Sequence, residues 1–310
     1  MAEKKIPHRV CTPVCAPCIL GFRLLPPPDG VVIVTLTTDF GTSDGYVAAM
    51  KGTMLGIRPD VRMIDVTHAV PPQDIMEAAW VLRQAAWTYP EGTVHLVVVD
   101  PGVGTTRRPL AARFRPTGSD REHLFVGPDN GLLSLLTDEP PSRAVVLDRP
   151  EFWRTSRASR TFHGRDVFAP VAAHLAGGAT LRELGSVTEE TSSLRWPLPI
   201  ADAQGVEGSI LHVDRYGNCV TNIQRETVEA HQADRSVKVY AGSTIIRGIS
   251  ETYGHAAVSE PLALFGSSGA LEVSVNKGNA SQLLSLSRGA PVRLIFETRS
   301  ERARRFAEAA

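Results

Sequence analysis

Val31-Val-Ile-Val-Thr-Leu-Thr37 is a near-continuous run of β-branched and apolar residues. A run without polar alternation reads as a strand covered on both faces, as in a parallel sheet packed between helices. The chain on its C-terminal side keeps that rhythm. Val47, Met50, Met54 and Ile57 recur at helical spacing, with Ser43 or Asp44 placed to cap the helix. Arg62–Val66 reads as a second strand, Ile75, Ala79, Leu82 and Ala86 as a second amphipathic helix, and Val94–Val99 as a third strand. Shorter strands are expected at Leu110–Phe114, His123–Val126 and Ala144–Leu147, with helices after Gly131 and over Val167–His174. Strand–helix alternation of this kind predicts an α/β domain over residues 30–190 with a mainly parallel central sheet. In such sheets ligands gather at the carboxyl ends of the strands.

Beyond Leu184 the composition shifts to Gly, Ser, Thr and Val in short alternating runs. Ser209–Val213, Cys219–Ile223, Ser236–Tyr240, Thr244–Ile249, Leu262–Phe265, Leu271–Val275 and Val292–Phe296 predict a smaller antiparallel β-barrel domain over residues 205–297. Residues 191–204, with Pro197 and Pro199, read as the linker between the two, and residues 298–310 as a charged tail. Residues 1–29 lack apolar periodicity and read as an extension before the fold. That extension holds Cys11, Cys15 and Cys18, a spacing also used to hold a [4Fe–4S] cluster in radical enzymes. Those enzymes set the motif after a first barrel strand, and no strand precedes it here.

Thirty-three basic residues balance 33 acidic ones, so no global field favours nucleic acid or an anionic membrane. The apolar runs stop well short of the roughly 18 residues a membrane span needs, and no signal-peptide core opens the chain. Four cysteines, three of them crowded near the start, are not the framework of a secreted domain. A cytoplasmic protein is the expectation.

Polar knots fall where the α/β reading puts strand ends: Thr37-Thr-Asp-Phe-Gly-Thr-Ser-Asp44, Asp100-Pro-Gly-Val-Gly-Thr-Thr-Arg107, Gly127-Pro-Asp-Asn-Gly131 and Thr161-Phe-His-Gly-Arg-Asp166. The β domain adds Val213-Asp-Arg-Tyr-Gly-Asn-Cys-Val-Thr-Asn222. None has the spacing of a phosphate cradle or a zinc site, so no metal is expected. Residue chemistry alone reaches a polar pocket with acids, one histidine and one or two arginines. Without further information Asp100 and Arg107 could equally be a structural ion pair, and His163 a loop histidine. Arg165 with Asp166 reads as a structural pair, and His68, Asn130 and Cys219 as structural residues. Trp80 and Trp87, at helical spacing, read as core or interface.

Taken together, Thr-Thr-Asp-Phe-Gly at 37–41, Asp-Val-Thr-His at 65–68, Asp-Pro-Gly-Val-Gly-Thr at 100–105, Pro-Asp-Asn-Gly at 128–131, Thr-Phe-His-Gly-Arg-Asp at 161–166 and Tyr-Gly-Asn-Cys-Val-Thr-Asn at 216–222 closely resemble the S-adenosyl-L-methionine (SAM) hydroxide adenosyltransferases. These are adenosine-forming SAM hydrolases related to fluorinase and chlorinase. The resemblance runs in one order from about Val31 to Phe296. It implies a reaction in which water or hydroxide displaces methionine from the 5′ carbon, with SAM as substrate and no cofactor. It also implies a homotrimer with each site between one subunit's N-terminal domain and its neighbour's β domain.

The family's Asp–Arg–His set falls on Asp100, Arg107 and His163. Asp39 falls on the ribose hydroxyls with Asp44 assisting, Tyr216 on the adenine face and Asn218 on its edge. Ser267, Ser268 and Asn276 fall near the amino-acid end or the base. Halogenases of the superfamily carry Arg at the position of Ser268, so recognition of the methionine carboxylate is left open here. They also have Tyr and Ser or Gly where this chain has Asp100 and His163, which disfavours halide chemistry. A non-catalytic sensor of SAM or adenosine is the rival of another class; it would have no use for a positioned water.

Overall fold

The computed structural model describes residues 32–298. The Cys11, Cys15 and Cys18 extension and the tail beyond Thr298 lie outside the described residues. Two sheets organise the chain. The first takes β1 (Ile33–Thr38), β2 (Arg62–Thr67), β3 (Val94–Val98), β4 (Pro109–Phe114), β5 (His123–Pro128), β6 (Arg143–Val146) and β7 (Ser186–Thr188) in the order β2-β1-β3-β5-β4-β6-β7. Strands β2, β1, β3 and β5 pair in parallel, and β4, β6 and β7 follow antiparallel. The sheet is therefore mixed but largely parallel, as the unbroken apolar runs predict. Helices α1 (Tyr46–Ile57), α2 (Ile75–Ala86), α3 (Ala169–Ala176) and α4 (Leu181–Leu184) accompany it. Met50, Met54 and Phe168 pack on Leu36 and Leu96 in one core cluster, and Leu82 joins Val97, Leu110 and Phe125 in another.

The second sheet runs β12 (Thr244–Arg247), β11 (Ser236–Ala241), β15 (Pro291–Glu297), β9 (Gly205–Val213), β10 (Cys219–Gln224), β14 (Ala270–Val275) and β13 (Pro261–Phe265), all antiparallel, with β8 (Ile200–Ala201) added to β9. Ser250 N–H donates to Ala263 O at 2.7 Å, so the two ends of the sheet nearly meet as a barrel. Helices α5 (Arg225–Gln232) and α6 (Ala280–Leu283) interrupt it; both were missed in the sequence because each is short and mostly polar.

Three local expectations are corrected. Neither Ser43 nor Asp44 caps α1: Gly45 occupies that position, with no side-chain cap. After Gly131 the chain makes only a 3-10 turn, Leu133–Leu135, with Ser134 Oγ taken by Gly131 O and Leu194 O. The helix expected over Val167–His174 opens as a π-helical turn, Gly164–Phe168. Pro170 cannot donate to the Asp166 carbonyl, which accepts instead from Arg154 N–H at 2.9 Å, and the first turn widens.

Residues 191–204 are tied to both sheets by hydrogen bonds. Ser192 N–H donates to Asp129 at 2.7 Å, Trp196 Nε1 to Leu135 O at 3.1 Å and Asn222 Nδ2 to Pro197 O at 2.9 Å. Trp80 sits between Trp196 and His212, at 6.0 and 6.1 Å between ring centroids, and so joins the two sheets. Trp87 is half exposed. Among the described residues no helix is long and apolar enough to cross a membrane.

The first sheet also buries two histidines. Thr35 Oγ1 meets His95 Nδ1 at 2.7 Å, and His95 Nε2 meets His123 Nδ1 at 2.8 Å. Burial pushes His95 down to about 3 and His123 to about 4. With folded values below the unfolded one, the unfolded chain binds more protons between them. Stability is therefore full above about pH 6.5 and falls on acidification by at most about 1.4 kcal/mol per pH unit for each histidine. Urea unfolding at pH 7 and pH 5 should show this loss, and His123→Gln, which does not titrate, should roughly halve the slope.

Candidate active site

The loops leaving β1, β3 and β5 emerge at one edge of the sheet, where the parallel strands end. Loop β1–α1 is tethered from below. Thr38 Oγ1 lies 2.9 Å from His68 Nδ1, His68 Nε2 lies 3.0 Å from Asp65, and Gly41 N–H donates to His68 O at 2.7 Å. His68 is thus structural, as expected. Asp39 follows β1 and accepts from Gln73 N–H at 2.8 Å. Gln73 has φ 66°, a left-handed conformation that costs a residue with a Cβ roughly 1–2 kcal/mol.

Asp100 follows β3, and the glycines after it bring its loop against the second motif. Gly104 has φ +74°, and a Cβ there would lie 2.2 Å from Arg160 O. Only glycine lets the two loops close. Arg107 then reaches back: its Nε donates to Asp100 Oδ1 at 2.9 Å, and its Nη2 donates to Asp100 Oδ2 and, at 3.0 Å, to His163 Nδ1. The Asp100 and Arg107 side chains are 6% and 7% exposed, and the guanidinium lies 5.4 Å from the centre of the Phe168 ring. Gly164 follows His163 at the start of the π-helical turn, where an added Cβ would lie 3.2 Å from each of Met50, Phe162 and Val98.

This geometry decides the tautomer. Arg107 can only donate, so His163 Nδ1 accepts and the neutral ring carries its proton on Nε2. Burial, then the charge of Arg107, push the His163 pKa below its ordinary value, which favours that neutral ring. Burial raises the Asp100 carboxyl against the opposing pull of Arg107. Arg107 Nη1 is buried with no hydrogen-bond partner.

Other members of the motifs are structural. Asp166 is buried and accepts from Arg165 Nε and Arg154 Nε, each at 2.7 Å. Burial alone would raise its pKa, but these bonds and Ser159 N–H hold it well below the carboxylate range. Asn130 Nδ2 donates to Val99 O at 2.9 Å, and Asp129 binds Arg108. Cys219 is a buried free thiol.

The site residues expected from the sequence fall into two groups. Asp100, Arg107 and His163 are in direct contact, and Asp39 and the exposed Asp44 lie on the neighbouring loop. Tyr216, Asn218, Ser267, Ser268 and Asn276 belong to the second sheet. Among the described residues none of them makes a hydrogen bond, ion pair or ring contact with the first group. Tyr216 is 78% exposed at the β9–β10 turn. Asn218 Nδ2 donates to Asp214 at 2.8 Å and Asn276 Nδ2 to Ala256 O at 2.8 Å. Ser267 and Ser268 line a groove with Trp80, Trp87 and Trp196. Sequence reading missed Phe40, Tyr46 and Phe162, whose rings lie 5.1–5.7 Å apart beside Asp39 and His163. Their position inside or next to two motifs was the available signal.

Fold and site together define a two-sheet protein whose parallel strands end on a buried acid–arginine–histidine set. Residues 34–185 match the SAM hydroxide adenosyltransferase N-terminal domain, and residues 208–293 match the C-terminal domain of the same name. The chain belongs to the SAM hydroxide adenosyltransferase family. An (R)-S-adenosyl-L-methionine hydrolase of Thermus thermophilus is 42% identical over 84% of this chain and 99% of its own. A protein of the same name from Salinispora tropica is 39% identical over 84% and 97%. A fluorinase of Actinoplanes sp. is more distant, at 30% identity over 66% of this chain and 75% of its own. A crystal structure of an uncharacterized conserved protein from Thermotoga maritima superposes with a TM-score of 0.77 at 34% identity, covering 85% of this chain and 100% of that one.

Proposed function

We propose that the protein is an enzyme that hydrolyses S-adenosyl-L-methionine to adenosine and L-methionine. The buried contact of Asp100, Arg107 and His163 is the observation that carries this reading. Water attacks the 5′ carbon in line with the leaving sulfur. The C5′–S bond breaks with its electron pair going to sulfur, the C5′–O bond forms, and one proton leaves the water. Methionine departs as a neutral thioether, so no acid is needed at the leaving group. The difficulty is the nucleophile, because bulk water has a pKa of about 15.7.

The hydrogen bonds of the three side chains support one division of roles. His163, accepting at Nδ1, presents an Nε2–H donor that orients the water oxygen. Asp100 takes the proton: burial makes its carboxylate more basic than usual, and each oxygen keeps a lone pair beyond its bond to Arg107. Arg107 fixes both partners, and its unpaired Nη1 is a further donor beside the forming hydroxide. Asp39 accepts from the ribose hydroxyls, with the exposed Asp44 beside it. Tyr216 stacks on adenine and Asn218 bonds its edge, while Ser267, Ser268 and Asn276 approach the amino-acid end or the base.

The resemblance implies a homotrimer in which a neighbouring subunit supplies these second-sheet residues, and their separation from Asp100 within one chain supports that arrangement. The reaction uses side chains alone, without metal or cofactor, and the protein works in the cytoplasm. The relatives' name specifies the R configuration at sulfur, so both sulfonium epimers belong in the assay.

The test is incubation with each epimer in ¹⁸O-labelled water, with and without chloride, followed by mass spectrometry. One ¹⁸O in the adenosine 5′ hydroxyl is the expected result. A 5′-chloro nucleoside would move the protein to the halogenases, and binding without turnover would make it a sensor.

A further inference from the structure

Asp39 is held by the backbone of a residue in an unfavourable conformation. Gln73 donates its N–H to Asp39 Oδ2 at 2.8 Å while its φ is 66°. Strain of this kind persists only where the surroundings over-determine it. The next residue shows how. Asp74 caps α2, accepting from Glu77 N–H at 2.9 Å, and is gripped by Arg288 from the second sheet's side of the molecule. Arg288 Nη1 contacts Asp74 Oδ2, its Nη2 lies 3.4 Å from Asp74 Oδ1, and Nη1 lies 3.5 Å from Glu77 Oε2. The other Glu77 oxygen lies 2.7 Å from His212 Nδ1 on β9. Arg288 and Asp74 are 35% and 24% exposed, so the pair alone contributes little to stability. Its position, one residue from the turn that carries Asp39, gives it another use.

We propose that Arg288 is a positioning residue for substrate binding: by clamping Asp74 it holds the Gln73 turn left-handed, and so keeps the Asp39 carboxylate aimed at a vicinal diol. This rests on the reading of Asp39 as the acceptor of the ribose hydroxyls. A guanidinium suits the task because its rigid planar fork meets two carboxylate oxygens in a fixed orientation, whereas a lysine ammonium is a freely rotating point charge. The second sheet thereby sets the geometry of a binding loop on the first, through an ion pair that touches no substrate.

The test uses the full-length protein and steady-state kinetics with SAM and with its 2′-deoxyadenosyl analogue. Arg288→Ala is expected to raise KM for SAM about tenfold while kcat stays within about twofold, and to narrow the preference for the ribo substrate. Arg288→Lys should recover only part of the loss. Gln73→Gly adopts φ 66° without strain and by itself leaves the ion pair intact, so in the Arg288→Ala background it should recover part of the lost affinity. Asp39→Asn should abolish the ribo preference. If Asp39→Asn abolishes it while Arg288→Ala and Arg288→Lys keep wild-type KM and preference, the clamp is refuted and the role of Asp39 stands. If Asp39→Asn keeps the preference, the ribose reading fails and the clamp with it. Should Arg288→Ala not fold, the kinetics of Arg288→Lys, by itself and combined with Gln73→Gly, decide alone.

Discussion

Asp100→Asn is expected to lower kcat by about three orders of magnitude with little change in KM, since a positioned base typically contributes about 10²–10⁴-fold. Asparagine keeps the volume and can still accept from Arg107 through its carbonyl oxygen, but it cannot take a proton from water. The loss should therefore appear in the chemical step, measured as single-turnover formation of adenosine. His163→Ala should cost less, about 10–100-fold, because it removes an orienting donor and leaves the base in place. The reverse order of effects would make His163 the base and contradict the tautomer that Arg107 imposes. The pH profile gives an independent reading. With Asp100 as the proposed base, activity needs its ionised form, and because burial raises that carboxyl against the pull of Arg107, the acid limb of kcat/KM should lie above the ordinary Asp value. His163 is lowered, so its neutral form persists to lower pH than that of an ordinary histidine.

Arg107→Met should be the most damaging change to stability, at about 3–5 kcal/mol near neutral pH, because it leaves a buried carboxylate unpaired. Methionine still packs on Phe168, so the loss reports the charge rather than a cavity. Without Arg107 the folded pKa of Asp100 rises further above its unfolded value. A group raised in this way is favourable to the fold below its unfolded pKa and loses that contribution as pH rises through the folded one. The deficit of the variant should thus be greatest at pH 8 and shrink toward pH 5 in denaturant unfolding. An equal deficit at both would show that packing on Phe168, not charge, accounts for the loss. The double variant Asp100→Asn, Arg107→Met should lose less than Arg107→Met alone, since no buried charge remains.

Most strands were legible because burial imposes a pattern on them: the unbroken runs at Val31–Thr37 and Val94–Val99, and the short alternations of the barrel. The capping of α1 and the π-helical turn were not, because each depends on a backbone group choosing among partners distant in sequence. Asp166 O is free for Arg154 only once Pro170 has left it unpaired. The motifs around Asp100 and His163 announced chemistry, but their residue types fitted a structural ion pair equally well.

Apolar periodicity and short motifs were enough to read most strands of both sheets, their order along the chain and the family, because each is a property of residues that lie close together in the chain. Which atoms meet was set by packing between distant segments. Arg107 reaches His163 across 56 residues, through a loop contact that only Gly104 permits, and Arg288 reaches Asp74 across 214. The tautomer of His163, the basicity of Asp100 and the grip on Asp39 all arise from such contacts. Each depends on burial and hydrogen-bond direction, quantities that exist only once distant segments have packed.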